Sequence, residues 1–245
     1  MTPFPQPLLV TRPSPDGEAT CEAFEKVGIE VVHTPLMTIA FAQAPKSLPI
    51  KNIGALAFTS ASGVRAWCTI RDSQTSLVPI DIPAFYVGPA SAAVGEAADL
   101  KTAGIAAGDV DSLAALIKDH GLGPILHIQG VHAAGDLGGQ LTKAGISATA
   151  LPLYEAVAAD ALPPRAADAL KGGPCTAALF SPRTARLFAG LVEDAGLTPM
   201  LGQSVAACLS ENVANMARTL PFHEIVVAAE PQLASFVDMI KARCP

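Results

Sequence analysis

The chain has 245 residues and a formal net charge of −6, with 50% hydrophobic, 16% charged and 5% aromatic residues. Its length suits one large domain or two α/β lobes, while the acidic balance and lack of a Lys/Arg cluster argue against a nucleic-acid partner. No uncharged run reaches the ~18 apolar residues of a membrane span, and Met1-Thr-Pro-Phe-Pro-Gln-Pro has no basic or apolar signal region, so a cytoplasmic protein off the membrane is expected.

Short apolar runs alternate with Ala-rich amphipathic stretches along the whole chain. Leu8-Leu-Val-Thr11 reads as a strand, Asp16 to Lys26 as a helix stopped by Gly28, and Ile29-Glu-Val-Val-His33 as the next strand. The pattern continues with strand Ala55–Thr59, helix Ser62–Arg71, strand Ala84–Val87, helix Pro89–Ala98, helix Asp111–His120 stopped at Gly121, strand Ile125–Gln129, helix Ala134–Ala144 and strand Ser147–Tyr154. After Pro163-Pro164 it resumes: helix Arg165–Leu170, strand Thr176–Phe180, helix Pro182–Ala195, strand Ser204–Cys208, helix Glu211–Leu220, strand Glu224–Val227 and helix Gln232–Ala242. Such alternation predicts an α/β fold, with parallel sheets covered by helices on both faces.

The chain also repeats itself. Leu56-Ala-Phe-Thr-Ser60 is echoed at Ala178-Leu-Phe-Ser181, and three pairs of landmarks share nearly one offset: Ser60 and Ser181 at 121 positions, Gly88 and Ser210 at 122, Leu113 and Leu233 at 120. Two similar lobes with a cleft between them are expected. His33–Ala40 and Ala148–Val157 read as extended, each with a proline that suits an edge strand or connector. If they pair as a two-stranded ladder, the middle of the chain is a lobe inserted into one built from both termini; the alternative is two consecutive lobes split near residue 160.

In open parallel sheets, ligands gather at the carboxyl ends of the strands. The loops there are small and polar: Thr11-Arg-Pro-Ser, Thr59-Ser-Ala-Ser-Gly, Gly88-Pro-Ala-Ser, Gln129-Gly-Val-His, Ser181-Pro-Arg-Thr and Ser210-Glu-Asn. Taken singly, each is an ordinary helix cap; together they offer many N–H and hydroxyl donors to an acidic ligand. Five dispersed cysteines and five dispersed histidines show neither disulfide nor metal-ligand spacing, so no metal is expected. No nucleophile elbow, Walker loop or dinucleotide fingerprint is present. Tyr154, one of two tyrosines, ends an extended connector and is a candidate proton donor, with a buried structural tyrosine as the plain alternative.

The order of motifs resembles the uroporphyrinogen-III synthase family over essentially the whole chain. It runs Leu9-Val-Thr-Arg-Pro13, Gly28-Ile-Glu-Val-Val with Pro35, Phe58-Thr-Ser60-x-x-Gly-Val, Val87-Gly88-x-x-Ser-Ala, Gly130 with Asp136-Leu, Leu153-Tyr154-Glu, Phe180-Ser-Pro182 and Glu230-Pro-x-x-Leu. The resemblance implies two α/β lobes joined by a β-ladder, residues 1–34 plus 158–245 forming a discontinuous lobe and 35–157 an inserted one, with ladder strands near 35–40 and 148–157. It also implies an enzyme that uses no metal or cofactor and closes the linear tetrapyrrole hydroxymethylbilane, an octacarboxylate, to uroporphyrinogen III with inversion of ring D; a monomer is expected because nothing in the sequence marks an extended apolar partner surface. Tyr154 matches the family's connector tyrosine as the catalytic candidate. Ser60, Ser62, Gly63, Gly88, Ser91, Gly130 and Ser181 match its loop positions for binding acetate and propionate groups, and Arg12, following the first strand, is a candidate either to pair with a substrate carboxylate or to form a surface salt bridge.

Two departures stand out. Gln129 replaces the arginine common before the glycine of the L-x-x-R-G motif, and the second-lobe loop Ser210-Glu-Asn-Val-Ala has Val213 where a hydroxyl is expected. They leave open a non-catalytic relative or a two-lobed binding protein for a polycarboxylate. A solute-binding module of that kind would need an export signal, and a nucleotide-using transferase would need a nucleotide loop or an acidic metal pair.

Overall fold

The central strands of this protein, such as Leu8–Val10, Ala55–Phe58 and Thr176–Leu179, are short and buried at every residue, so they are stable only where helices cover both faces of the sheet. The computed structural model describes residues 3–43, 48–49, 51–73, 81–132 and 135–243. They form two compact units, Met1–Thr38 with Val157–Pro245, and Ile39–Ala156.

The first unit holds β1 (Leu8–Val10), α1 (Asp16–Glu25), β2 (Val31–His33), then, after the second unit, α6 (Pro164–Gly172), β9 (Thr176–Leu179), α7 (Pro182–Asp194), a 3-10 turn (Thr198–Gln203), β10 (Val205–Cys208), α8 (Glu211–Ala217), β11 (Glu224–Val227) and α9 (Leu233–Lys241). Its sheet runs β11-β10-β9-β1-β2, and every neighbouring pair is parallel. Strand residues alternate between two cores. Leu9, Ala177, Leu179 and Ala206 pack with Phe188, Val192 and Ala217 on one face, while Leu8, Val10, Ala178 and Ala207 pack with Phe24, Phe236 and Ile240 on the other.

The second unit holds β3 (Met37–Phe41), β4 (Ala55–Phe58), α2 (Ala61–Ser73), β5 (Ala84–Tyr86), α3 (Pro89–Ala97), β6 (Thr102–Ile105), α4 (Val110–His120), β7 (Ile125–Gly130), α5 (Leu137–Lys143) and β8 (Ala148–Ala158). Its sheet runs β3-β8-β7-β4-β5-β6. The last five strands are parallel, whereas β3 and β8 are tied by Ala42 N–H to Leu153 O at 2.8 Å and Ala159 N–H to Leu36 O at 2.9 Å, an antiparallel progression. Leu56, Phe58, Leu126 and Ile128 face Val64, Trp67 and Ile70 of α2; Ala55, Ala57 and Ile125 face Leu113 and Ile117 of α4 and Leu137 and Leu141 of α5.

The internal repeat covers the sheets in permuted order. Leu126 pairs with Leu56 and Leu9 with Ala177, and Ala177 lies 121 positions beyond Leu56. Strands β7 and β8 thus hold the places in the second sheet that β1 and β2 hold in the first.

Several boundaries differ from expectation for physical reasons. The helix expected from Ala134 begins at Leu137, because the Asp136 carboxylate accepts from Gly139 N–H at 2.8 Å and caps it there. Ala134, like Cys244, lies outside the described residues. Edge strand β6 was not anticipated: only Ile105 of Thr102-Ala-Gly-Ile105 is a large apolar residue, and the strand is exposed or half-buried throughout. Pro199 and Gly202 break the α pattern after α7, and a 3-10 turn results. The helix stops at Gly28 (φ 81°) and Gly121 (φ 65°) are where the sequence indicates, both in the left-handed region.

Candidate functional site

In each unit the crossovers run outward in both directions from one adjacent pair of strands, and the helices that follow those two strands lie on opposite faces, the switch point at which open parallel sheets form a crevice at the strands' carboxyl ends. In the second unit it lies between β4, which leads into α2, and β7, which leads into α5. Ser60 follows β4 and caps α2, its Oγ accepting from Gly63 N–H at 3.0 Å.

Tyr154 arrives from β8. The register of β8 against β7 shifts at Gln129/Gly130, pairing Pro152 with Gln129 and Tyr154 with Gly130. This bulge sends consecutive residues, Leu153 and Tyr154, toward the α2 face. There the Tyr154 hydroxyl lies 2.8 Å from Ser60 Oγ. Its ring rests on two glycines: a Cβ at Gly130 would stand 3.0 Å from Tyr154 Cε2 and Cζ, and one at Gly63 would stand 3.6 Å from Cε1. The structure therefore brings together four of the residues singled out in the sequence, Ser60, Gly63, Gly130 and Tyr154.

The opposite face of the same turn holds Thr59, singled out in the sequence only as part of its polar loop, and His127, which the sequence reading passed over. Thr59 Oγ1 lies 3.1 Å from His127 Nε2. His127 is 3% exposed, and burial pushes its pKa down to about 4, so the imidazole is neutral at neutral pH. A histidine inside the apolar run Ile125-Leu126-His127-Ile128 was the available signal.

The remaining candidates sit differently. Ser62 is half-buried in the first turn of α2. Gly88 is the extended N-cap residue of α3. Ser91 is buried and donates to Gly88 O at 2.8 Å, so its hydroxyl serves the turn rather than facing solvent. That reframes Val213 as well: it is 1% exposed in the core beneath α8, so an outward hydroxyl has not been lost there. In the first unit, Ser181 caps α7, accepting from Thr184 N–H at 3.1 Å. Arg12 pairs with Asp16 at 3.7 Å and lies over the Phe180 ring at 5.0 Å. Arg12 is therefore held by the first residue of α1 and by the residue before Ser181. Beside Tyr154, Val131 N–H donates to its carbonyl at 2.8 Å, and the exposed His132 and Glu155 approach to 3.7 Å.

Among the described residues no His/Cys/Asp/Glu cluster is arranged to hold a metal, and no helix is long and apolar enough to cross a membrane. A cavity of about 340 Å³ lies at the other end of the first sheet, lined by Pro3, Pro5, Pro174, His223, Glu224 and Arg243 among others. Glu224 and Arg243 there close on each other through two bonds of 2.7 Å, and the strand-end turns that present Ser60 and Ser181 are not part of it.

Comparison with known proteins supplies the remaining findings. The family model described as Uroporphyrinogen-III synthase HemD matches residues 18–238. The fold is similar to a uroporphyrinogen-III synthetase from Helicobacter pylori, with TM-score 0.63 and 15% identity over 99% of both chains. It is also similar to a mutant uroporphyrinogen III synthase from the extremely thermophilic bacterium Thermus thermophilus, with TM-score 0.56 and 17% identity over 96% of this chain and 97% of the other. No curated protein sequence matches significantly.

Proposed function

The chain belongs to the uroporphyrinogen-III synthase family, and from that premise we propose that it converts hydroxymethylbilane to uroporphyrinogen III, as a cytoplasmic monomeric lyase that needs no metal or cofactor. The observation that carries this reading to particular atoms is the 2.8 Å contact of Tyr154 with Ser60 at the crevice of the second unit.

The net reaction removes one water from the bilane. Departure of the hydroxyl leaves an azafulvene cation, and the substituted carbon of ring D attacks it to form a spiro intermediate. The bond from ring D to its original bridge then breaks and re-forms at the other position, and loss of a ring proton restores the pyrrole. Without assistance the bilane closes with no inversion. The enzyme's main task is therefore to hold a folded conformer, a proximity effect worth on the order of several kcal/mol.

Tyr154 is suited to assist hydroxyl departure. Ser60 Oγ already accepts from Gly63 N–H, so Ser60 can donate its own hydrogen to the Tyr154 oxygen and leave the phenolic hydrogen for the departing hydroxyl. Gly63 and Gly130 let the ring lie against backbone. The turns at Ser60, Ser62, Gly88, Gly130 and Ser181 would bind acetate and propionate groups, using helix N-terminal N–H groups where α2, α3 and α7 begin. Arg12 would add charge in the first unit, competing with its present partner Asp16. Ser91 would act only by shaping the Gly88 turn.

Freshly prepared hydroxymethylbilane tests the proposal, with the III and I isomers resolved after oxidation to porphyrins. The expected result is III isomer formed faster than spontaneous closure. Only I isomer at the uncatalysed rate would leave a non-catalytic relative.

A further inference from the structure

We propose that His127 is a positioning residue for this reaction, holding Thr59 so that the next residue, Ser60, stays engaged with Tyr154. The inference rests on the function proposed above and extends it to a residue that reaches the site only through another.

The geometry begins in the register. Strand β4 ends at Phe58, which pairs with Ile128, while β7 runs on to Gly130. Thr59 and Ser60 therefore lie beyond the last paired residue of β4, where the ladder no longer fixes their direction. Alternation sends the Thr59 side chain to the face of Ala55 and Ala57, the α4/α5 side, and β7 places His127 on that same face opposite Ala57. The 3.1 Å contact between Thr59 Oγ1 and His127 Nε2 ties the turn down on one side. On the α2 side, the 2.8 Å contact between Ser60 and Tyr154 ties it on the other. Two consecutive residues are thus anchored on opposite faces of one sheet, and the turn cannot rotate without breaking one of the contacts.

The choice of residue supports a role beyond filling space. His127 is 3% exposed on the sheet face that Ala57 and Ile125 share with the apolar residues of α4 and α5, where an aliphatic side chain would avoid the desolvation cost of an imidazole. The imidazole gives the Thr59 hydroxyl a buried partner with either ring tautomer, since that hydroxyl can donate to a bare Nε2 or accept from Nε2–H. An apolar residue at position 127 would leave Thr59 to solvent and the turn held from one face only.

The test uses the full chain and the isomer-resolved assay. Thr59→Val and His127→Leu are each expected to lower kcat for III-isomer formation roughly tenfold while KM changes much less, with the double variant no worse than either single. Thr59→Ser, which keeps the hydroxyl, is expected to restore kcat. Should His127→Leu fail to fold, the Thr59→Val and Thr59→Ser pair decides alone. Wild-type kcat in folded Thr59→Val, or additive losses in the double variant, would overturn the proposal while wild-type III-isomer formation keeps the function intact. A wild-type protein that makes no III isomer would overturn both.

Discussion

Tyr154 is placed by what its neighbours lack. Gly130 and Gly63 present bare backbone to its ring, and a Cβ at Gly130 would come within 3.0 Å of it. Gly130→Ala should push the ring aside by a few tenths of an ångström, weaken the 2.8 Å contact with Ser60, and lower kcat by about tenfold with little loss of stability; kinetics beside a thermal melt check this. His127 supplies a pH signature. Its pKa falls from 6.5 to about 4 on burial, so the unfolded chain binds the extra proton and stability is full above about pH 6.5, declining as pH drops toward 4. Urea unfolding of the wild type should therefore lose about 2 kcal/mol more than His127→Leu between about pH 7 and about pH 5. Equal losses would show that His127 is not held neutral. The sequence exposed Tyr154 through its rarity and its family motif, but not His127, because a lone histidine in an apolar strand reads the same whether or not it has a partner. Only the register that sets it opposite Ala57, two residues before Thr59, reveals that partner.

Periodicity located the elements where burial is two-sided, as in Leu8–Val10 or Ala55–Phe58, in which every residue is buried. It missed β6, which lies at the sheet edge and needs few apolar residues. It misjudged the start of α5 because Asp136 competes locally for the backbone, turning an apparent helical residue into a cap. Asp136→Ala should leave Gly139 N–H without its acceptor and cost about 1 kcal/mol, read as a lower urea midpoint at unchanged slope. The strand-end turns were visible as polar clusters, yet their hydroxyls divide by orientation. Ser60 meets Tyr154 while Ser91 turns back to its own helix entrance, a distinction that depends on backbone direction rather than residue type.

For the molecule as a whole, the repeat in the sequence marks two sheets of one design with permuted strand order, each with its crevice at a β–β boundary. The two differ in what they hold. In one crevice Tyr154 and Ser60 meet over glycine backbone; in the other, Arg12 lies on Phe180 beside the Ser181 cap. The resemblance that ran along the whole chain is matched by the family model over residues 18–238, while sequence order could not show which turn residues present their hydroxyls. If the crevice where Tyr154 meets Ser60 carries out the ring-inverting closure, removing the phenolic hydroxyl must slow that closure selectively. Single-turnover kinetics of Tyr154→Phe with hydroxymethylbilane, resolving III from I isomer, put this to the test. The expected outcome is a folded protein whose III-forming rate falls by about a hundredfold, within the range of a lost general acid, with I isomer accumulating as spontaneous closure overtakes it. A Tyr154→Phe protein forming III isomer at the wild-type rate would contradict the assignment.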